Sequence, residues 1–180
     1  MIIKKLLPIL ILFSCSNELR VYHDFDPGIS IQVLTNYAWL PAKQIESRNN
    51  PIVYNELVDK RIKTAVDNQL KEKGYIRSDS SEQMIVHYHI VIENKTSIRS
   101  EPFGYNYGRY WLQNELDSYR YEEGTLIVDF MDSRNCDLIW RGWAVAVLDT
   151  DVINEELISK AVAEIFKTFP ISAAKEVTLP

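Results

Sequence analysis

His87 and His89 give this chain its one spacing with the character of a metal site. Alternate residues of a strand share a face, so a His-x-His pair sets two imidazoles side by side, where they grip zinc if a third ligand joins them. His23 or Asp24 supplies that ligand only if the first strand lies beside the histidine strand, which spacing alone does not fix. The plainer reading is a pair of histidines on the wetter face of a sheet, so no metal and no cofactor are expected.

Asp129 and Arg141 form a second pair, set in the blocks Gly124-Thr125-Leu126-Ile127-Val128-Asp129 and Trp140-Arg141-Gly142. An acid beside a cation invites a catalytic reading, but strand geometry offers a simpler one. If the chain turns back around Asn135, Asp129 falls directly opposite Arg141 and Ile127 opposite Trp143. On the other face Phe130 meets Trp140 and Val128 meets Gly142. The acid and the cation are then a structural cross-strand pair, and Gly142 is small because Trp140 or a helix side chain lies over it. No catalytic residue is expected, since there is no Gly-x-Ser-x-Gly, no Cys/His pair and no carboxylate dyad in a glycine-framed turn.

Residues 103 to 121 are unusually aromatic: Phe103, Tyr105, Tyr107, Tyr110, Trp111, Tyr119 and Tyr121, broken by Gly104 and Gly108. Tyrosine and tryptophan offer large rigid contact area at low entropic cost, so Tyr105, Tyr107, Tyr110 and Trp111 are candidates for a surface that recognises an envelope protein or a glycan. A β-arm whose rings pack on each other and on the sheet has the same composition. Both readings stand at this point.

The start of the chain says where this chemistry would operate. Lys4 and Lys5 precede an apolar run from Leu6 to Phe13, too short to span a bilayer, and a small residue follows. Residues 1–14 therefore read as a secretory signal, and Leu12-Phe13-Ser14-Cys15 looks like a bacterial lipobox in which Cys15 becomes the first mature residue and carries the lipid. Multiple acylation of one cysteine suffices for stable anchoring without a basic patch. The expected place is the bacterial cell envelope, and by analogy with lipoprotein sorting Ser16 points to the outer membrane. Cys136, the other cysteine, is then left unpaired.

The 180-residue chain carries a formal charge of −5, and removal of the leader takes away two lysines and no acid. An acidic mature protein is repelled by phosphate backbones, so no nucleic-acid partner is expected. Past a lipidated tether at 15–20, residues 21–180 are long enough for one domain with its own core.

The elements that must position these residues follow from periodicity. Residues 21–26 and 35–40 read as short strands, the first ended by Pro27-Gly28. Asn50 and Pro51 read as the cap and first residue of a helix striped by Leu57, Val58, Ile62, Ala65, Val66 and Leu70 and closed by Gly74. In the next strand Met84, Val86, Tyr88, Ile90 and Ile92 should face the helices, with Ile85, His87, His89 and Val91 on the other side. Two long arms, 118–131 and 138–148, form the hairpin around Asn135. Asp151 caps a last helix, striped from Ile153 to Phe169 and ended by Pro170. The order of elements predicts an α+β two-layer sandwich: a mixed or antiparallel sheet of about five strands with two long helices on one face.

Several short blocks taken in order resemble the bacterial lipoprotein family known as domain of unknown function 4136. They are Asp24-x-Asp26, Asn36-Tyr37-Ala38-Trp39, Leu70-x-x-Lys73-Gly74-Tyr75, Glu123 to Asp129, Leu138 to Gly142, and Ile165-Phe166-x-x-Phe169-Pro170. The resemblance implies a small exported envelope domain with a mixed sheet under two helices. It implies no activity, and no functional residue beyond the lipidated cysteine. The expected role is non-enzymatic binding or assembly at the membrane, with an envelope protein or glycan as partner. Carriage of a small ligand in a pocket between sheet and helices is the alternative, and hydrolysis a more distant one.

Overall fold

In the computed structural model, which describes residues 19–41, 55–103, 113–148 and 153–176, a six-stranded sheet carries two helices on one face. The strands are β1 (Arg20–Phe25), β2 (Asn36–Trp39), β3 (Ile76–Arg77), β4 (Met84–Phe103), β5 (Gln113–Asp132) and β6 (Leu138–Leu148). Helix α1 (Glu56–Glu72) lies between β2 and β3, α2 (Glu155–Phe166) follows β6, and α3 (Ala173–Glu176) is a short closing turn. The sheet order is β1-β6-β5-β4-β2-β3. β2 runs parallel to β3 and β4, and every other pairing is antiparallel. The expected α+β sandwich is thus present, with one short strand, β3, more than anticipated.

Helix α1 begins one turn later than the Asn50-Pro51 signal suggests; those two residues lie outside the described residues. Asn55 is the cap, and its side chain accepts hydrogen bonds from the N–H groups of Leu57 and Val58, both at 3.0 Å. At the other end Tyr75 N–H reaches Leu70 O at 2.9 Å and Gly74 N–H reaches Lys71 O at 3.1 Å, a Schellman closure. Gly74 takes φ +88°, where a side chain would be strained, so the predicted glycine stop is realised. Helix α2 is capped by Asn154, not by Asp151, which lies outside the described residues.

The β5–β6 hairpin adopts the predicted register: Asp129 pairs with Arg141, Phe130 with Trp140, Ile127 with Trp143 and Val128 with Gly142, ahead of a bulge after Phe130. Phe130, Trp140, Phe166 and Phe169 meet in one aromatic cluster, with Phe130 and Trp140 edge to face at 5.6 Å and Trp140 and Phe169 at 4.9 Å. All four are buried. A Cβ on Gly142 would run into the Trp140 ring and come within 2.6 Å of Ile165, so both of the anticipated neighbours lie over it.

Polar pins fix α1 to the sheet. Tyr37 OH and Trp39 Nε1 both donate to Asp67 Oδ1 at 2.9 Å, and Arg77 donates to Oδ2 at 3.2 Å. About two turns earlier on α1, Asp59 accepts from Tyr88 OH at 2.9 Å. Burial, reinforced by Asp67, pushes the Tyr37 hydroxyl well above the usual phenol range, so it stays a donor.

Candidate functional site

The residues of strands β4, β5 and β6 that point away from the helices include His87, His89, Asp129 and Arg141, all near the middle of the sheet. The alternation of β4 places both histidines on this face, as expected, while Met84, Val86 and Ile90 are buried against the helices. His87 lies directly across the ladder from Asp129, and Asp129 directly across the next ladder from Arg141. Three adjacent strands therefore bring the two candidate pairs together into one cluster.

Asp129 is its hub. Arg141 grips it with two parallel hydrogen bonds, Nε to Oδ1 at 2.6 Å and a terminal nitrogen to Oδ2 at 2.7 Å. Oδ2 also lies 3.7 Å from His89 Nε2. His87 Nδ1 and His89 Nε2 approach to 3.0 Å, with the rings edge to face at 4.2 Å between centroids. Asp129 is 4% exposed although no helix among the described residues covers its face of the sheet, because these side chains crowd it. Burial pushes the His87 pKa down, and the neighbouring His89 adds to this while Asp129 opposes it, so the ring favours its neutral form. The two bonds it donates to Asp129 hold the Arg141 guanidinium above its ordinary pKa.

His23 and Asp24 do not join the histidines. Strand β1 pairs with β6 at the far edge, so β6 and β5 separate it from β4. The third group within reach is Asp129: one donor atom each from His87, His89 and Asp129 lie within 4.8 Å of one another. The sequence reading assigned Asp129 to Arg141 and did not offer it to the histidines. Adding the β4–β5 register to that of β5–β6 would have shown that one carboxylate serves both.

Tyr105, Tyr107, Tyr110 and Trp111 lie outside the described residues, as does Cys15. The strands leading to the aromatic segment are described. β4 and β5 remain paired from Met84↔Asp132 out to Phe103↔Gln113, whereas β6 ends at Leu148↔Glu122 and β2 at Trp39↔Val86. Beyond Glu122 the described part of the ribbon is two strands wide and runs on for about 25–30 Å at ~3.3 Å per residue. Arg20, the first residue of β1, pairs with Val145 and is salt-bridged to Glu123, so β1 starts at the end of the sheet from which the ribbon leaves. Cys136 is free and exposed in the β5–β6 turn.

Between sheet and helices there is a cleft of about 40 Å³ lined by Ile62, Ile90, Ile92, Leu126, Ala144 and Ile158. It is apolar and far below the roughly 300 Å³ of a small-molecule site.

The model of the family described as "Domain of unknown function (DUF4136)" matches residues 21–171. No curated protein matches the sequence. Among solved structures the chain is similar to a PDZ domain protein from Parabacteroides distasonis, at 10% identity and a TM-score of 0.54, over 87% of this chain and 37% of that one. It thus spans little more than a third of that protein, and the likeness concerns the fold. Two structures of the PelC dodecamer from Paraburkholderia phytofirmans are more loosely similar, at 8% and 10% identity and TM-scores of 0.46 and 0.47. They cover 82% and 86% of this chain, and 94% and 99% of their own.

Proposed function

The chain belongs to the family described as domain of unknown function (DUF4136), and on that premise we propose that it is a lipid-anchored domain of the bacterial cell envelope that binds an envelope protein or glycan through its β4–β5 arm. The observation that carries this reading is the ribbon itself. A two-stranded hairpin is at best marginally stable in water, and this one continues well past the last strand that supports it. The paired strands carry Lys95, Thr96, Ser97, Arg99, Glu101, Glu115, Asp117 and Arg120 beside Tyr119 and Tyr121, while Tyr105, Tyr107, Tyr110 and Trp111 fall in the sequence between the two strands. That distribution suits a solvated stem presenting a contact surface at its tip.

Tether and ribbon also share one end of the sheet. Arg20 is five residue steps from Cys15, at most about 17 Å of extended chain. The described ribbon is longer than the tether can extend, so with the lipid on Cys15 a membrane-resident partner is within the span of the arm, and we take the partner to be of that kind. Two variants test the parts separately. Cys15→Ala should move the protein out of the membrane fraction, and its recovery in the membrane pellet with native processing would contradict the anchor. A photo-crosslinking residue at Tyr107 should trap an envelope component that the same residue at Lys60 on α1 does not. Equal trapping from both positions would contradict the arm as the binding element.

A further inference from the structure

We propose that His87, His89 and Asp129 bind a divalent transition-metal cation of the zinc class on the open face of the sheet. The donor set is two imidazole nitrogens and a carboxylate oxygen, which suits zinc and its borderline neighbours rather than calcium or magnesium. Zinc holds nitrogen and oxygen ligands at about 2.0–2.2 Å in tetrahedral array, which puts ligand atoms roughly 3.3 Å apart. Here the two imidazole nitrogens are 3.0 Å apart and the His89–Asp129 separation is 3.7 Å. Two of the three spacings bracket the required one and all three donor atoms lie within 4.8 Å of one another, so side-chain rotation on fixed Cα positions is what brings them to a common centre.

The scaffold favours such a site. The three residues sit on two hydrogen-bonded strands in register, which fixes their Cα positions without help from a loop. Arg141 holds the Asp129 carboxylate from behind with two hydrogen bonds, the support that metal-bound carboxylates characteristically receive. Its charge offsets that of Asp129, so affinity for the cation must come from the donor atoms and their placement and not from net negative charge. The His89 side chain is 48% exposed, so a fourth position faces solvent and is open to water or to a ligand atom from a bound partner.

Isothermal titration of the untagged full chain in detergent with zinc chloride, at neutral pH, tests this. One ion should bind per chain, and His87→Ala and His89→Ala should each weaken binding at least tenfold. Both positions are at least partly solvent-exposed, so these variants fold; Asp129→Asn, which keeps the shape of the buried group, should weaken binding comparably, and His23→Ala should leave it unchanged. Zinc should also raise the melting midpoint of the parent but not of the two histidine variants. Absence of stoichiometric binding by the parent overturns the proposal, as does binding that survives both histidine substitutions or is lost with His23→Ala.

Discussion

The two faces of one sheet, built from alternate residues of the same strands, have opposite characters. On the helix-covered face Phe130, Trp140 and Gly142 are sealed under Ile165, Phe166 and Phe169. On the open face, one residue further along each strand, Asp129, Arg141, His87 and His89 form a polar cluster reachable from solvent. A side-chain period of two lets one hairpin serve both roles without compromise. The covered face holds the buried core, and the proposals for contact and for a cation rest on the ribbon and the other face.

The largest expected effect falls on the covered face. Trp140→Ala removes the centre of the aromatic cluster and should cost about 3–5 kcal/mol, enough to lower the melting midpoint by roughly 6–20 °C for a domain of this size. Gly142→Ala should cost about 1–3 kcal/mol by overpacking, because the added methyl meets Trp140 and Ile165 from two elements. A Gly142→Ala variant that melts like the parent would show the packing to be looser than the geometry indicates.

On the open face losses should be smaller. Arg141→Ala leaves the Asp129 carboxylate without its two strongest bonds, but the guanidinium side chain is 41% exposed and water can replace it in part. The expected cost, discounted for that exposure, is about 1–2 kcal/mol, read from urea denaturation. A loss as large as that of Trp140→Ala would erase the distinction between the faces.

The turn joining β5 to β6 gives a pH dependence of known sign. Asp132 is buried, and the Arg134 side chain and backbone N–H bond its carboxylate and hold its pKa down, from the usual 3.8 to about 2. A depressed carboxylate stabilises the fold above the unfolded value and loses that contribution as pH falls toward 2. Asp132→Asn should therefore melt below the parent at pH 5, with the difference shrinking between pH 4 and pH 2. A gap that stays constant over this range would show that the charge of Asp132 plays no part.

Much of this was readable from residues alone, for identifiable reasons. The β5–β6 register follows because both faces carry distinct patterns and opposite residues in a ladder sum to a constant, so one slip would bury Asp129 among aromatics. The placement of β1 has no such signal, since a short strand carries no mark of its neighbour, so His23 or Asp24 stands as a third ligand only on the condition that β1 lies beside β4, and Asp129 is not considered for that place. Both helix caps were placed early, at Asn50 and Asp151 instead of Asn55 and Asn154. Each true cap has a similar residue a few positions before it, and a hydrophobic stripe does not choose between them. The Asp67 pin escaped notice because Tyr37, Trp39 and Arg77 converge on it from separate elements.

The claim that the arm is for contact and the covered face for stability is tested most directly by a thermal melt of the variant with Tyr105, Tyr107, Tyr110 and Trp111 all replaced by alanine. If the four rings form a contact surface at the end of the ribbon, the midpoint should stay within a few degrees of the parent while trapping of the envelope component is lost. Four aromatic side chains removed from a core would cost far more than 10 °C or prevent folding, since each would be worth about 3–5 kcal/mol. A collapse of that size would contradict the account.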